Sequence, residues 1–565
     1  MPDPAHDPSV RRWWAVLHDQ LDAAHWRSVA AASRARGLAA PGIVLVESGE
    51  WLSRRPYHRQ RVALILLNQR SFAAELREAG IEVVEIRTDG PVSDALTGAA
   101  RDRGTLMVQE PAEREMRAEL APLVARGAIR VVPNPHWITT AEDFRSAASG
   151  GGWRMDSFYR AVRARTGILM RAGKPEGGKL SFDADNRERW EGSPPAPEPP
   201  RFPRTELRVE VEREVQARFA RHPGRLDVEA LPATHADSEL LWRFGLERCI
   251  AHFGPFEDAM SERSRGLFHT RISPPLNLGR MHPRRLVDDV VASGAPLQSV
   301  EGFVRQVIGW REFVRHVHSA TDGFRRLGTR PVPVRATPGD GGFGRWSGTP
   351  WAPTAPPPAG VDGGAEPAHL GSERSPLPPS FWGTRSGLRC LDHVVEGVWD
   401  EAWSHHIPRL MVLGNLATLL DVDSRELTDW FWVAYMDAWD WVVEPNVLGM
   451  ATFSAGEAMT TKPYVSGAAY LDKMGDSCEA CAFDPASTCP ITRLYWAFLA
   501  RHEPVLAANH RMKLIMGSLR RRSDAERRRD RAVFVHVRDM LVNGRAVSPD
   551  SVSSALAGVD PRAAG

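Results

Sequence analysis

The sequence predicts an N-terminal doubly wound α/β domain followed by a mainly helical domain. Three observations support this. Short β-branched runs alternate with amphipathic helices over residues 10–140. Helical periodicity dominates from residue 205 onward, and four of the five cysteines lie in the last third of the chain. Because 565 residues are too many for one hydrophobic core, at least two domains are expected.

The first domain contains a series of predicted strands. The apolar runs are WAVLHDQL, GIVLVES, IEVVEIR, TLMVQE and IRVVPN. Between them, RQRVALILLNQRSFAAELREAG has apolar residues at helical spacing and ends at a glycine. Strand–helix alternation predicts a parallel sheet with helices on its faces. No GxGxxG motif follows the first strand, so a standard dinucleotide site is not predicted.

Composition divides the rest of the chain. Residues 141–204 are predicted to be an interdomain linker, because they are rich in glycine and end in the proline-rich EGSPPAPEPPRFPR. Residues 205–520 form the predicted helical domain. Glycine and proline are again concentrated at 321–380, which predicts either disorder or an inserted loop. Residues 521–565 are predicted to be a C-terminal tail.

Charge and hydropathy indicate a globular protein. Hydrophobic residues make up 42% and charged residues 25% of the chain. No apolar run could span a bilayer and no signal-peptide pattern opens the sequence, so we expect a cytoplasmic protein without membrane contact. A net charge of +2 does not by itself indicate a nucleic-acid partner. The arginine runs at 520–522 and 527–529 could contact phosphates, although a solvated helix surface is the simpler interpretation.

The cysteines form a metal-binding pattern. Cys478 and Cys481 form a C-x-x-C, and Cys489 follows with a proline directly after it. Cys390 lies 88 residues before Cys478 and can be a fourth ligand only if the fold brings it back. Spacing alone is equally compatible with zinc and with an iron–sulfur cluster. Cys249 stands apart and is expected to be a buried thiol.

The segment SCEACAFDPASTCPITRLYWAFL at 477–499 resembles the C-terminal motif of iron–sulfur bacterial cryptochromes and photolyases. Further similar motifs follow the same order along the chain: RRPYHRQR at 54–61, FYRAVRARTGILM and GGKLSFDADNR within 158–187, FGPFEDAM at 253–260, SPPLNLGRMHPRRLV at 273–287, SVEGFVRQVIGWREFVRHVH at 299–318, HHIPRLMVLGN at 405–415 and EPNVLGMATFSAGEAMTTKPYVSG at 444–467. The resemblance covers about residues 10–520, apart from the predicted insertion.

This resemblance implies an α/β antenna domain and an all-helical domain that holds FAD. It also implies a [4Fe–4S] cluster on Cys390, Cys478, Cys481 and Cys489. A lumazine-type antenna is expected near the YHRQR helix and the strand end at Glu47. The implied partner is UV-damaged DNA, bound by a monomer.

The implied flavin-binding residues are Thr270, Arg271, Ser273, Trp310, Arg311, Glu312, Asn415 and Asp437. Physical chemistry supports part of this set. The stretch 269–273 precedes a helix that begins near Pro274, and the amides of a helix N-terminus suit a pyrophosphate. Ser273 as an ordinary N-cap is the simpler alternative.

Two positions depart from the family pattern. Trp382 and Trp430 are implied to carry electrons to the flavin, but Phe431 stands where relatives commonly have a tyrosine. Phenylalanine is far harder to oxidise, so the sequence predicts slower photoreduction. Val443 replaces an acid near the flavin edge, and Glu444 could substitute for it only if the backbone shifted.

The histidine pair at 405–406 supplies the predicted acid. Repair of a (6-4) photoproduct requires an electron and a proton transfer, and histidine is the natural proton donor near neutral pH. Consecutive helix residues point about 100° apart, so only one of the pair should face the pocket. The resemblance selects His406 over His405, places Tyr464 near the lesion pocket, and makes Asp258 a further candidate.

Three functions remain open from the sequence. The first is light-driven repair of (6-4) photoproducts, which requires the lesion to flip into a cavity with a basic rim. The second is a blue-light photoreceptor with the same cofactors and little repair activity. The third is a metal-stapled helical protein that binds nucleic acid without photochemistry.

Overall fold

The computed structural model describes residues 11–148, 152–371 and 374–558. Its N-terminal domain contains a five-stranded sheet in the order β3-β2-β1-β4-β5. The strands are β1 (Trp13–Ala15), β2 (Gly42–Ser48), β3 (Glu82–Thr88), β4 (Leu106–Gln109) and β5 (Ile129–Val132). All pairings are parallel, and the order reverses between β1 and β4. The predicted doubly wound sheet is therefore confirmed, with its switch point at the ends of β1 and β4.

Helices cover both faces of this sheet. They are α1 (Ala23–Ala35), α2 (Gly49–Ser53), α3 (Arg59–Glu78), α4 (Val92–Arg103) and α5 (Arg114–Ala125). On β2, Ile43 and Leu45 pack into one hydrophobic cluster with Trp26, while Val44 faces a second cluster. Burial on both faces explains why β2 is almost continuously apolar. Helix α3 corresponds to the predicted RQRVALILLNQRSFAAELREAG helix.

The segment predicted as a linker is partly helical. It contains α6 (Ala141–Ala147), α7 (Met155–Thr166) and a short hairpin of β6 (Met170–Arg171) and β7 (Lys174–Pro175). In α7, Phe158 and Val162 are four residues apart and both buried, which docks the helix on the second domain. The proline-rich stretch after residue 190 is extended, as its composition predicts.

The second domain is helical. Its helices are α8 (Glu206–Arg218), α9 (His235–Phe244), α10 (Ile250–Phe253), α11 (Ser273–Asn277), α12 (Pro283–Ala292), α13 (Leu297–Val304), α14 (Glu312–Ala320), α15 (Phe343–Ser347), α16 (Arg389–Glu401), α17 (Asn415–Leu419), α18 (Ser424–Ala434), α19 (Asp440–Glu444), α20 (Ala468–Met474), α21 (Pro490–Arg501), α22 (Glu503–Leu506), α23 (Lys513–Arg520), α24 (Asp524–Val542) and α25 (Pro549–Ala557). A two-stranded hairpin joins β8 (Arg326–Leu327) to β9 (Arg330–Pro331).

Four π-helical segments interrupt these helices. They are Gly245–Cys249, Arg305–Arg311, Pro408–Gly414 and Pro445–Ala451. π-Helical turns are frequent at functional sites, because they re-aim side chains within an otherwise regular helix. Two of them directly adjoin residues predicted to bind flavin. No helix in the described part of the chain combines the length and apolar character needed to cross a bilayer.

Two regions are more ordered than their composition predicts. Instead of a loose tail, residues 524–542 form α24, which begins with a capping box and packs along α21. Most of 321–380 lacks regular structure but is anchored to the protein. The Trp351 indole donates to the Ser53 carbonyl at 2.8 Å, and the Trp382 indole donates to the Gly341 carbonyl at 3.0 Å. The inserted loop therefore contacts both domains.

Asp440 joins the two domains. Its Oδ2 accepts hydrogen bonds from the backbone amides of Arg114 at 2.6 Å and Glu115 at 3.1 Å, in the first turn of α5. A carboxylate at this position is stabilised by the positive end of the helix macrodipole. The helical domain thus supplies the carboxyl group at the N-terminus of a sheet-domain helix, although burial raises the pKa of this group to about 7.

Candidate functional site

Three histidines meet at the centre of the helical domain. The rings of His269 and His405 stack at 4.2 Å with an interplanar angle of 14°, and the His406 ring meets His269 edge-on at 5.7 Å. His269 and His405 are buried, whereas the His406 side chain is 41% exposed. The structure therefore leaves only His406 of the 405–406 pair facing outward, as helical geometry predicts.

Burial determines the charge of the two inner rings. It lowers the pKa of His405 well below its usual value, and the neighbouring His269 and His406 lower it further. Burial also lowers the pKa of His269, with His406 adding to the effect. Among the described residues, Nε2 of His269 and Nδ1 of His405 have no hydrogen-bond partner. Two neutral imidazoles thus present free polar atoms inside the protein, which is costly unless a ligand uses them.

Nitrogens of the three rings lie within 4.8 Å of one another, close enough for a metal ion to be considered. The stacking argues against a shared ion. Lone pairs of an imidazole lie in the ring plane, and the two inner rings are nearly parallel, so their lone pairs run side by side. A flat aromatic ligand or its polar edge fits these nitrogens better than a metal does.

Asp258 is the acidic partner of this cluster. Its Oδ1 lies 3.5 Å from His406 Nε2, and its Oδ2 lies 3.6 Å from Arg187 Nε. Burial, followed by the charge of Asp258, raises the pKa of the Tyr470 phenol, which places that tyrosine nearby. Burial also raises the pKa of Tyr464, with Asp183 and Asp156 adding to the effect. The structure thus brings the predicted residues His405, His406 and Asp258 together, and places Tyr464 at the edge of the same charged group.

Asp437 organises a second group of predicted residues. Its carboxylate accepts a hydrogen bond from Ser273 Oγ at 2.7 Å and a bidentate pair from Arg409 at 2.9 and 3.0 Å. The backbone carbonyl of Asp437 accepts a hydrogen bond from Asn277 Nδ2 at 3.0 Å. Ser273 is therefore not the N-cap of α11, because Ile272 holds that position and the serine side chain turns to Asp437.

The 270–273 segment is strained next to this carboxylate. Arg271 has a φ of 55°, a left-handed conformation that residues other than glycine rarely adopt. Its guanidinium lies over the Trp403 ring at 4.4 Å and binds Glu401 at 2.6 Å. Thr270 is buried directly before it. Backbone strain, a bidentate arginine and unpaired histidine nitrogens within one group are features of a ligand site.

The other predicted flavin residues are less concentrated. Arg311 Nε lies 3.4 Å from Asn277 Oδ1, which connects it to the Asp437 group, and its guanidinium stacks on Trp137 at 4.1 Å. The buried carboxylate of Glu312 instead accepts hydrogen bonds from the amides of residues 138 and 139. Trp310 is half-buried and meets Phe313 edge-on at 6.1 Å.

Asn415 is already paired within the protein. Its side chain donates to the Ser466 carbonyl at 3.1 Å and accepts from the Ser466 amide at 3.0 Å. Val443 is buried, and Glu444 is engaged elsewhere, because its carboxylate binds Arg425 at 2.6 Å and lies 2.9 Å from His318 Nε2. Although burial raises the pKa of Glu444, the His318 hydrogen bond and the Arg425 charge hold it well below its usual range. Glu444 therefore does not replace the acid that Val443 removes.

The four predicted metal-binding cysteines lie in one region of the described structure, although no three of their sulfur atoms come within 4.8 Å of one another. Burial raises the pKa of the Cys390 thiol, and the nearby thiols of Cys489, Cys478 and Cys481 raise it further. The pKa of Cys478 rises to about 11 and that of Cys489 to about 12, in both cases mainly through burial. Cys249 is buried elsewhere, as predicted. The fold therefore returns Cys390 to the other three despite the distance in sequence.

Two of these thiols lie at helix N-termini. Cys390 is the second residue of α16, and Cys489 is the N-cap of α21, where the following proline takes the first helical position. Backbone amides of Leu391 and Ile491 donate to these sulfur atoms and favour their thiolate forms. Helix dipoles act in the same direction, and thiolates are the form that binds metal.

Aromatic rings connect the two predicted electron carriers. Trp399 stacks on Trp382 at 4.8 Å and meets Trp430 at 6.1 Å. On the other side of Trp430, Tyr435 lies 6.2 Å away, and Phe431 stacks on Tyr435 at 5.5 Å. Sequence reasoning missed Trp399 and Tyr435, because isolated tryptophans and tyrosines on helices are more often packing residues.

The predicted antenna region shows free polar atoms, but not at Glu47. That carboxylate is bound by Arg70 at 2.8 Å. Among the described residues, Nε and Nη2 of Arg61, in the YHRQR helix, and Oδ1 of Asp19, after β1, have no hydrogen-bond partner. The Arg61 guanidinium lies 5.1 Å from the Trp439 ring. The sheet switch point thus offers unpaired donors, an unpaired acceptor and an aromatic surface, which are the groups that a heteroaromatic ligand requires.

The C-terminal arginine runs are largely engaged within the protein. Arg522 binds Asp530 at 2.7 Å and lies over the Trp496 ring at 4.7 Å. Arg527 binds Glu503 at 3.2 Å, and Arg520 lies 3.5 Å from the same residue. These contacts support the interpretation as a solvated helix surface.

Comparisons with known proteins agree with this geometry. A family model for deoxyribodipyrimidine photo-lyase-related proteins matches residues 14–230. A (6-4) photolyase from Agrobacterium fabrum is 30% identical over 491 residues, which cover 83% of this chain and 89% of that protein. The crystal structure of a bacterial class III photolyase from Agrobacterium tumefaciens matches with a TM-score of 0.51 over 95% of this chain and 100% of that chain, at 13% identity. A Synechocystis sp. PCC6803 cryptochrome matches with a TM-score of 0.52 over 89% and 94%, at 14% identity. These matches confirm the predicted fold class.

Proposed function

Because the chain belongs to the deoxyribodipyrimidine photo-lyase-related proteins, within the photolyase/cryptochrome group, we propose that it repairs (6-4) photoproducts in DNA. One observation carries this proposal: a partly exposed histidine, His406, is paired with an acid and backed by two neutral histidines. Repair of this lesion needs an electron together with a proton donor, and the cluster can supply the proton.

His406 is the proposed proton donor. Its exposed side chain can reach a base flipped out of the duplex, whereas the inner histidines are buried and neutral. Asp258, 3.5 Å from Nε2, orients the ring. Arg187, whose Nε lies 3.6 Å from Asp258 Oδ2, and Tyr464 are proposed to position the lesion. The His406 imidazolium then gives its proton to the hydroxyl or amino group that returns to its original base.

The Asp437 group is the proposed flavin site. Ser273 and Arg409 offer donors to phosphate oxygens, and the Asp437 carboxylate can accept hydrogen bonds from ribityl hydroxyls, while the Thr270–Arg271 backbone approaches closely. His269 and His405 contribute the two unpaired nitrogens. Bound there, reduced FAD supplies the electron for repair when it absorbs light. The chain's own residues hold the cofactor and exclude water.

The four cysteines are proposed to bind a [4Fe–4S] cluster with a structural role. Four thiols in one region of the fold, two of them at helix N-termini, suit either zinc or iron–sulfur ligation. Membership of the family favours the cluster. In the purified protein, absorbance near ~400 nm distinguishes the two, because zinc thiolates are colourless there.

We propose a lumazine-type antenna at the sheet switch point beside Arg61 and Asp19, where the unpaired donors and acceptor lie. Glu47 takes no part in this proposal, because Arg70 already neutralises it. Replacing Arg61 by Leu should release the antenna absorbance and leave the flavin absorbance unchanged. A variant that keeps the antenna band would contradict this placement.

The repair assay tests the main proposal. A (6-4)-containing oligonucleotide is illuminated with wild type, His406→Ala and His510→Ala, the last being an exposed histidine outside the site. We expect His406→Ala to retain FAD but to repair about 10²–10⁴-fold more slowly, the usual contribution of a general acid. His510→Ala should repair like wild type. If wild type binds flavin but repairs nothing, the photoreceptor function replaces this proposal, and the loss of the family's acid at Val443 would be the first feature to examine.

The cysteine proposal has its own test. Cys481→Ala should lose the brown colour and accumulate as insoluble protein, because cluster binding is coupled to folding. Cys249→Ala is the matched control, since its buried thiol lies apart from the other four. A soluble, fully coloured Cys481→Ala protein would refute the ligand set.

A further inference from the structure

A line of aromatic rings runs outward from the proposed flavin site. It begins at Tyr435, whose hydroxyl is 2.9 Å from Ser404 Oγ and whose ring is covered by the Arg409 guanidinium at 3.9 Å. Arg409 is bound to Asp437, so Tyr435 lies against the flavin-binding group. Trp430 follows, with its ring centroid 6.2 Å from that of Tyr435.

Trp399 forms the connection between the two predicted carriers. It lies 6.1 Å from Trp430 and stacks on Trp382 at 4.8 Å with an interplanar angle of 19°. The indole N–H groups of Trp399 and Trp430 donate to the same carbonyl, that of Phe381, at 2.9 and 3.1 Å. These two hydrogen bonds to one oxygen fix the distance and orientation of the two rings. Trp399 thus bridges Trp430 and Trp382 without any contribution from residue 431.

The line reaches solvent through the inserted loop. Trp346, on α15, stacks on Trp382 at 5.4 Å with an interplanar angle of 20°. Its side chain is one of the few large hydrophobic groups that the described part of the protein exposes, at 42%. Phe343 holds the stack in place by packing against both Trp346 and Trp382.

We propose that Trp399 and Trp346 complete the electron path into this protein, with Trp346 as its surface entry point. This rests on the proposed function only in requiring a bound flavin. When Trp430 gives an electron to a bound flavin, Trp399 re-reduces Trp430. Trp382 then re-reduces Trp399, and Trp346 re-reduces Trp382, so that the oxidised ring is finally Trp346. Phe431 lies beside this route, since it stacks on Tyr435 and not on the outer tryptophans.

Hydrogen bonding and exposure explain why Trp346 is the tryptophan that stays oxidised. The buried indoles donate to the carbonyls of Phe381 and Gly341, which are weak bases and keep the N–H proton in place. The exposed Trp346 cation is stabilised by water, and water can accept its proton. An external thiol then returns one hydrogen atom to the neutral Trp346 radical. Two such thiols form one disulfide, which balances two electrons delivered inward.

Photoreduction kinetics of the flavin-loaded protein with an external thiol are the first test. We expect Trp399→Phe and Trp346→Phe to slow photoreduction by about tenfold or more, since each removes one ring of this line. Trp13→Phe is the control, because its ring lies on β1 of the sheet domain and packs against Arg11 and Arg103. It should stay within about twofold of wild type. Wild-type kinetics in Trp399→Phe would overturn the proposal.

Mass spectrometry gives a readout independent of rate. Illumination in air should oxidise the Trp346 side chain in wild type. In Trp399→Phe, Trp346 remains exposed but should not be modified, because it no longer passes electrons inward and is therefore not oxidised. Equal modification in both proteins would overturn the entry-point assignment.

Circular dichroism tests the stack in flavin-free protein. The near-ultraviolet spectrum should show a coupled indole signal that Trp346→Phe diminishes, and an unchanged spectrum would contradict the stack. Failure of repair with intact photoreduction would refute the proposed function alone.

Discussion

Two buried polar clusters of this protein differ in how completely their polar atoms are paired. In the sheet domain, Arg54 binds Glu50 at 2.8 Å and both Glu115 and Glu119 at 3.0 Å, while Arg55 binds Glu115 at 2.6 Å. In the helical domain, by contrast, two of three clustered histidines have a ring nitrogen without a partner. A network closed by its own side chains stabilises the fold, whereas a buried cluster left open indicates a ligand.

The two clusters also differ in the charge of their buried side chains. Burial raises the pKa of Glu115, but the charges of Arg55 and Arg54 outweigh it and lower the pKa to about 2. At the histidine site burial removes the charge of the inner rings, and the charges of Arg409 and Arg271 lower the pKa of His405 further. The sheet-domain network thus holds paired charges in its interior, whereas the inner histidines of the helical-domain site are neutral.

The largest expected effect comes from opening the closed network. Arg54→Ala should destabilise the protein by about 3–5 kcal/mol, because it leaves three buried carboxylates without their shared partner. Denaturant unfolding measures this change. Arg145→Ala is the control, since its pair with Glu142 is exposed, and it should cost no more than about 1 kcal/mol. Similar losses in the two variants would remove the distinction between buried and exposed pairs.

Glu113 offers an intermediate case. It belongs to the sheet domain but binds no arginine; His18 Nε2 lies 3.1 Å from its Oε2, and burial raises its pKa to about 7. Between about pH 4.5 and 7 the folded protein therefore binds a proton that the unfolded chain has lost, so stability falls as pH rises, by at most about 1.4 kcal/mol per pH unit.

Glu113→Gln should flatten that part of the stability profile, as measured by denaturant unfolding at several pH values. Glu110→Gln, three residues earlier and exposed, should leave the profile unchanged. A wild-type profile that is level between pH 4.5 and 7 would show that His18 neutralises the carboxylate in the folded state.

The smallest expected change in stability is at the open cluster. His405→Leu replaces an unpaired buried ring by an apolar side chain, so the flavin-free protein should lose less than about 1 kcal/mol or gain slightly. Flavin affinity should nevertheless fall, as seen by fluorescence titration of FAD. A strongly destabilised flavin-free variant would mean that His405 is a packing residue of the same kind as Arg54.

The elements that the sequence predicted correctly are those whose apolar residues follow a regular local spacing. The parallel sheet and helix α3 follow from apolar periodicity, and the return of Cys390 agrees with the family motif. Composition predicted disorder or an inserted loop at residues 321–380 and a tail at 521–565, but it could not predict the distant anchors of the loop, such as the bond from Trp351 to Ser53. The local sequence pattern does not predict a contact between segments so far apart in the chain.

The candidate site divides in the same way. The resemblance selected His406 over His405, whereas helical geometry indicated only that one of the two faces the pocket. His269 was visible in the predicted phosphate-binding stretch, but its stacking on His405 joins residues 136 positions apart and could not be read from spacing. Trp399 and Trp346 were missed for the same reason, since their alignment with Trp382 appears only when α16, the inserted loop and α18 are packed together.

The distance between Cys390 and the other cysteines has a consequence for synthesis. Cys390 precedes Cys478 by 88 residues and Cys489 by 99. At roughly 5–20 residues per second, its thiol is translated about 5–20 s before the last of its partners. During that interval α16 has already emerged, yet the chain segment it must join has not. The cysteine group can therefore close only near the end of translation, and any metal that it binds is loaded last.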